Sequence, residues 1–128
     1  MNWYLKAWRN TSDISGRARR REFWYFIIVF AALLAAPYLV EAYLLKTPDY
    51  DLATAIYAVV FFVHFAPLIS VTIRRLHDIN LSGWWVLLAF NPLGMLIFGY
   101  FFLKDSYFNY NQWGPVPKEM PAEELNEP

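Results

Sequence analysis

Three stretches of this 128-residue chain carry no Asp, Glu, Lys or Arg: the 18 residues from Phe23 to Val40, the 22 from Leu52 to Ile73 and the 25 from Ile79 to Leu103. A charge of that kind costs roughly 2.5–3.5 kcal/mol at the centre of a membrane helix, so long gaps between charges read as spans. At 1.5 Å per residue the gaps reach about 27, 33 and 37 Å, against a hydrocarbon thickness of roughly 30 Å. A soluble helical bundle would instead repeat polar residues along every helix, and the run Phe26-Ile27-Ile28-Val29-Phe30-Ala31-Ala32-Leu33-Leu34 has none. Composition agrees: 58% of residues are hydrophobic and 17% charged, with six Trp, nine Tyr and eleven Phe to place. The expectation is an all-α membrane bundle of three transmembrane helices, with spans at about 23–43, 52–73 and 84–103 in one domain covering 1–117.

The first span is longer than a signal-peptide core and follows 22 residues with features of their own, so a retained anchor is expected. Aromatics edge the gaps at headgroup depth: Phe23, Trp24 and Tyr25, then Tyr38 and Tyr43; Tyr50 and Tyr57; Trp84 and Trp85, then Tyr100. Six Lys and Arg precede the first span, Lys46 alone lies between the first two, Arg74 and Arg75 follow the second, and Lys104 and Lys118 follow the third. This distribution places the N-terminus in the cytoplasm and a crossing third span would leave the tail outside. The tetrad Asn91-Pro92-Leu93-Gly94 bears on that last point. Proline within a membrane helix usually kinks it, but a full break would make the third stretch a re-entrant hairpin and return the C-terminus to the cytoplasm.

Before the first span, Tyr4 and Trp8 share one helical face, which fits a short helix on the membrane surface. Thr11, Ser12 and Asp13 break it and can cap a new helix running through the arginines into the span. The residues 118–128 read as a flexible acidic tail. Eleven basic and eleven acidic residues cancel, which removes any global field for nucleic acid, and the absence of cysteine excludes disulfides, thiolate nucleophiles and Cys-based zinc sites.

The densest polar cluster is Arg74, Arg75, His77 and Asp78. Two guanidiniums can grip a phosphate while Asp78 orients His77; the structural alternative has the arginines set topology and bind headgroups, with Asp78 capping the next turn or pairing with an N-terminal arginine. His64 lies mid-span, where an ionisable group suggests a proton relay or a substrate contact, but no Asp or Glu shares its depth. A neutral His64 bonded across the bundle, to Asn91 or to a carbonyl freed by Pro67, is the simpler expectation. Ala31, Ala32, Ala35 and Ala36 form two small-xxx-small pairs, a contact face for helix association. Asn111, Trp113, Gly114 and Pro117 suit a folded-back loop whose tryptophan re-enters the interface, or a partner-binding element. No phosphate-cradling glycine loop, nucleophile elbow or zinc signature occurs, so neither enzyme activity nor a cofactor is expected.

Three motifs together carry a resemblance: Gly16-Arg17-Ala18-Arg19-Arg20-Arg21-Glu22-Phe23-Trp24, then Arg74-Arg75-Leu76-His77-Asp78 with Ser82-Gly83-Trp84-Trp85, then Asn111-Gln112-Trp113-Gly114-Pro115-Val116-Pro117. In order and spacing the chain resembles the small bacterial inner-membrane family called domain of unknown function 805, over roughly residues 1–117. It departs where the family tends to carry a Thr-Gly-Arg-like stretch and this chain has Ile79-Asn80-Leu81. The resemblance implies a multi-spanning inner-membrane protein and brings no activity with it. The function expected is that of a structural or accessory membrane protein. Its basic cytoplasmic face, built from Arg17, Arg19, Arg20, Arg21, Arg74, Arg75, His77 and Asp78, would bind anionic headgroups or a partner protein, with self-association open. The alternative is a small oligomeric transporter or channel subunit using His64 and Asn91 at midplane.

Overall fold

The computed structural model describes residues 2–45, 51–107 and 109–117. Their regular structure is helical: α1 Trp3–Arg9, α2 Arg20–Leu39 with a π-helical continuation Val40–Leu45, α3 Asp51–Asp78, a 3-10 helix Gly83–Phe90, and α4 Pro92–Leu103. Two helices are long and apolar enough to cross a membrane, Arg20–Tyr43 and Asp51–Asp78, matching the first two charge gaps. The loop residues Lys46 and Tyr50 and the acidic tail 118–128 lie outside the described residues.

The third gap is not one helix. Pro92 disfavours the helical conformation for the residue before it, and Asn91 is extended at φ −118°, ψ 131°. Its side-chain oxygen then caps α4, accepting from the Leu93 and Gly94 amides at 2.9 and 3.4 Å. The Asn91-Pro92 break that the sequence left open is therefore present, between a 3-10 helix of 8 residues and an α-helix of 12. The arms approach closely at Gly94, where an added Cβ would lie 2.1 Å from the Leu88 carbonyl oxygen.

The chain divides into two compact units, Met1–Ser12 with Arg21–Val71 and Asp13–Arg20 with Thr72–Pro128. In the first, α1 is tied to both long helices. Ala7 is fully buried, Tyr4 stacks on Phe26 with centroids 5.7 Å apart, Lys6 pairs with Glu22 at 3.4 Å, and the Ser70 hydroxyl donates to the Asn10 carbonyl at 2.9 Å. A helix is present where the sequence suggests one on the membrane surface, and it packs along α3 from Ser70 to the level of His64. At the other end of the unit the Glu41 carboxylate accepts from the Ala53 amide at 2.9 Å, which satisfies one of the open donors of the first turn of α3.

In the second unit Asp13 caps a turn rather than a helix. Its carboxylate accepts from the Ser15 amide and hydroxyl and the Gly16 amide at 3.0, 2.8 and 3.2 Å. Arg17, Ala18 and Arg19 are consequently non-helical, Ala18 donating to the Arg74 carbonyl at 2.9 Å, and α2 starts at Arg20, later than the sequence suggests. α3 ends in a Schellman motif: Leu81 donates to Leu76 at 2.9 Å and Asn80 to His77 at 3.1 Å, with Asn80 left-handed at φ 63°. Leu76, Ile79 and Phe98 form the apolar core, with Leu81, Val86, Leu88 and Phe102 packed against it.

Candidate functional site

The polar cluster of the second unit is built around Asp78, at the C-terminal end of α3 and fully buried. Its Oδ1 accepts from Arg17 Nε and Nη2, each at 3.2 Å. Its Oδ2 accepts from Arg75 Nη1 at 2.5 Å and from the Ser106 hydroxyl at 2.6 Å. Two guanidiniums and a hydroxyl thus satisfy one carboxylate, the arrangement a buried charge requires.

The same groups gather the chain that follows α4. Arg17 Nη2 donates to the carbonyls of Asp78 and Tyr107 at 3.2 and 2.6 Å, and Nη1 to those of Asn109 and Gly114 at 3.1 and 3.3 Å. Arg75 reaches the carbonyls of Phe102 and Lys104, and the Tyr107 amide donates to the Asp78 carbonyl at 2.8 Å. Arg19 reaches the Pro117 carbonyl, and Arg20 the Leu103 carbonyl at 3.2 Å. A lysine has no planar fork with which to bridge so many acceptors.

His77 stands beside this network rather than in it. Its Nδ1 faces the Gly16 carbonyl at 3.2 Å, and since a carbonyl can only accept, Nδ1 carries the proton. The ring stacks on Trp113 with centroids 4.4 Å apart and planes 9° from parallel. Asn111 donates to the His77 carbonyl at 2.9 Å and closes a tight turn with Gly114, the latter at φ 114°. The expected folded-back loop is there, with its tryptophan on His77. Asp13, outside the spans, is held below the usual carboxylate range by its Ser15 hydroxyl and amide bonds.

In the first unit His64 occupies the middle of α3. Nδ1 donates to Val60 O at 2.8 Å and Nε2 accepts from the Tyr4 hydroxyl at 2.8 Å. Trp8 and Phe30 flank the ring at 5.1 and 5.3 Å. Its partners are therefore Tyr4 and a carbonyl of its own helix, in place of the expected Asn91 or the carbonyl freed by Pro67; Asn91 uses its oxygen as a helix cap.

Of the residues singled out for chemistry, the structure brings Arg17, Arg75 and Asp78 into one network and buries Arg74 and His77 beside it. Asp78 pairs with an N-terminal arginine, one of its two foreseen structural roles, and its carboxylate is turned to the arginines and Ser106. Arg20 and Arg21 are exposed and Arg19 is half-buried. Ser106 and Tyr4 were missed: a serine after a span and a tyrosine read as part of an amphipathic face give no signal of a long-range partner. Among the described residues, no group of three or more His, Cys, Asp or Glu is placed to hold a metal.

Residues 11–115 match the family described as a protein of unknown function, DUF805. The chain belongs to the DUF805 family. It is similar to the inner membrane protein YhaI of Escherichia coli K12, 35% identical over 92% of this chain and 97% of that protein. It is similar also to the inner membrane protein YhaH of the same strain, 36% identical over 94% of this chain and all 100% of that protein. No solved structure matches it. The resemblance read from the three motifs is thereby established, and those DUF805 motifs are the segments that meet at Asp78: Arg17 from the first, Arg75 and Asp78 from the second, Asn111 to Gly114 from the third.

Proposed function

We propose that this DUF805 protein is a non-enzymatic accessory protein of the bacterial inner membrane, crossing it more than once with its N-terminus in the cytoplasm, and that Arg20 and Arg21 hold anionic lipid headgroups at the cytoplasmic edge. The observation that carries this reading is the division of labour within the arginine run. Arg17 is buried and spent on Asp78 and four backbone carbonyls, whereas Arg20 and Arg21 stand exposed at the head of α2, next to its apolar run. Arg74 and Arg75, buried at the end of α3, are assigned to the fold rather than to a ligand. A cation near an anionic surface contributes about 1 kcal/mol, so a pair of arginines biases lipid composition by about tenfold or more.

The test is the lipid retained when the protein is drawn into nanodiscs from bilayers of mixed phosphatidylglycerol and phosphatidylcholine. The wild type is expected to enrich phosphatidylglycerol and Arg20→Gln with Arg21→Gln to lose the enrichment. Equal retention by the two proteins would refute the assignment.

A further inference from the structure

We infer that residues 83–103 form a re-entrant hairpin embedded in the single leaflet at the Asp78 end of α3, with acyl chains as the partner of its exposed face, so that the segment after α4 emerges on the side it started from. Three independent observations support this.

The first is length. Eight residues of 3-10 helix extend about 16 Å and twelve of α-helix about 18 Å, each near half of a roughly 30 Å core. Neither arm can cross.

The second is where the ends meet. The hairpin leaves α3 at the Schellman turn and its far end returns to the same place: Arg75 and Arg20 hold the carbonyls that close α4, and Ser106 and Tyr107 bond to Asp78. A crossing helix would carry Ser106 a membrane thickness away from Asp78; the hydroxyl is 2.6 Å from its carboxylate.

The third is the chemistry of the apex. Irregular backbone is costly in hydrocarbon unless its donors are satisfied. The Asn91 amide donates to Leu88 O at 3.0 Å, Pro92 has no N–H, the Leu93 and Gly94 amides donate to Asn91 Oδ1, and Met95 donates to Asn91 O at 3.0 Å. Every amide from Asn91 to Met95 is accounted for. Along the arms and around this sealed apex Trp84, Leu87, Phe90, Leu93 and Leu96 are exposed, in a stretch without a charge from Ile79 to Leu103. A water-facing turn would not need the first property and would not tolerate the second.

The chain contains no cysteine, so single-cysteine variants report sidedness directly. Ile14→Cys and Gln112→Cys, both at exposed positions, and Thr47→Cys, in sequence between α2 and α3, would be probed with an impermeant maleimide in right-side-out and inverted membrane vesicles. Ile14→Cys and Gln112→Cys are expected to label from one face and Thr47→Cys from the other. Labelling of Gln112→Cys from the face opposite Ile14→Cys would overturn the hairpin. If both label from outside, the hairpin stands and the cytoplasmic N-terminus proposed above falls. A nitroxide at Phe90→Cys completes the test: it is expected to collide with oxygen more than with a water-soluble nickel chelate, and the reverse order would overturn the embedding.

Discussion

The Arg17 guanidinium contacts both the carboxylate and the backbone carbonyl of Asp78, each at 3.2 Å, across 61 residues of sequence. One side chain therefore neutralises a buried charge and also satisfies an acceptor at the end of α3. Because its other nitrogen donates to the Asn109 and Gly114 carbonyls, the same contact positions the loop carrying Trp113 against His77. Arg75 and Asp78, two of the four residues that look most like a reaction centre in the sequence, form with Arg17 a lock on the closed hairpin, while His77 stands beside it.

The approach of the hairpin arms at Gly94 can be tested against a second glycine of the same helix. A Cβ at Gly94 would meet Leu88 O at 2.1 Å, while one at Gly99 meets nothing within 4 Å. Gly94→Ala is expected to destabilise by about 1–3 kcal/mol through overpacking, and Gly99→Ala to be neutral or to stabilise by up to about 1 kcal/mol through helix propensity. Thermal unfolding in detergent followed by tryptophan emission compares them; equal effects would contradict the close approach.

Tyr4 and His64 supply a second test, in the other unit. Tyr4→Phe keeps the stack on Phe26 and removes the hydroxyl that bonds His64 Nε2, for an expected loss of about 1 kcal/mol. In a His64→Leu background the same change should cost nearly nothing. A loss of the same size in both backgrounds would show that the hydroxyl acts elsewhere.

The turn after α3 places Asn80 in the left-handed region. Its φ of 63° is one that glycine and asparagine tolerate better than other residues. Asn80→Gly is expected to be tolerated and Asn80→Val to cost about 1–2 kcal/mol from the left-handed backbone. Indistinguishable melting temperatures for the two variants would contradict that account.

What the sequence disclosed follows the range of the forces involved. Charge gaps act over a whole helix, so the two helices long and apolar enough to cross a membrane and the interruption at Asn91-Pro92 were legible, as was the turn potential of Asn111 and Gly114. The length of that interruption was not, because whether a proline kinks or splits a helix depends on the Asn91 cap and the Gly94 contact with Leu88, which no window of residues displays. The arginine run read as helical since Asp13 is a good cap; the Ser15 hydroxyl and the Gly16 amide instead engage that carboxylate in a turn. Asp78 could be assigned to an arginine, but choosing Arg17, and finding Ser106, required contacts between residues 28 and 61 positions apart. For His64 the polarity of the site was visible and its partner Tyr4 was not.

The most direct measurement of the lock is a double-mutant cycle on Arg17 and Asp78, read as unfolding free energy in detergent. Arg17→Met and Asp78→Leu each leave a buried charge short of a partner and are expected to cost about 3–5 kcal/mol singly. In the double variant the loss should fall short of the sum by at least about 1 kcal/mol, the signature of coupled residues. Additivity within about 0.5 kcal/mol would contradict the account.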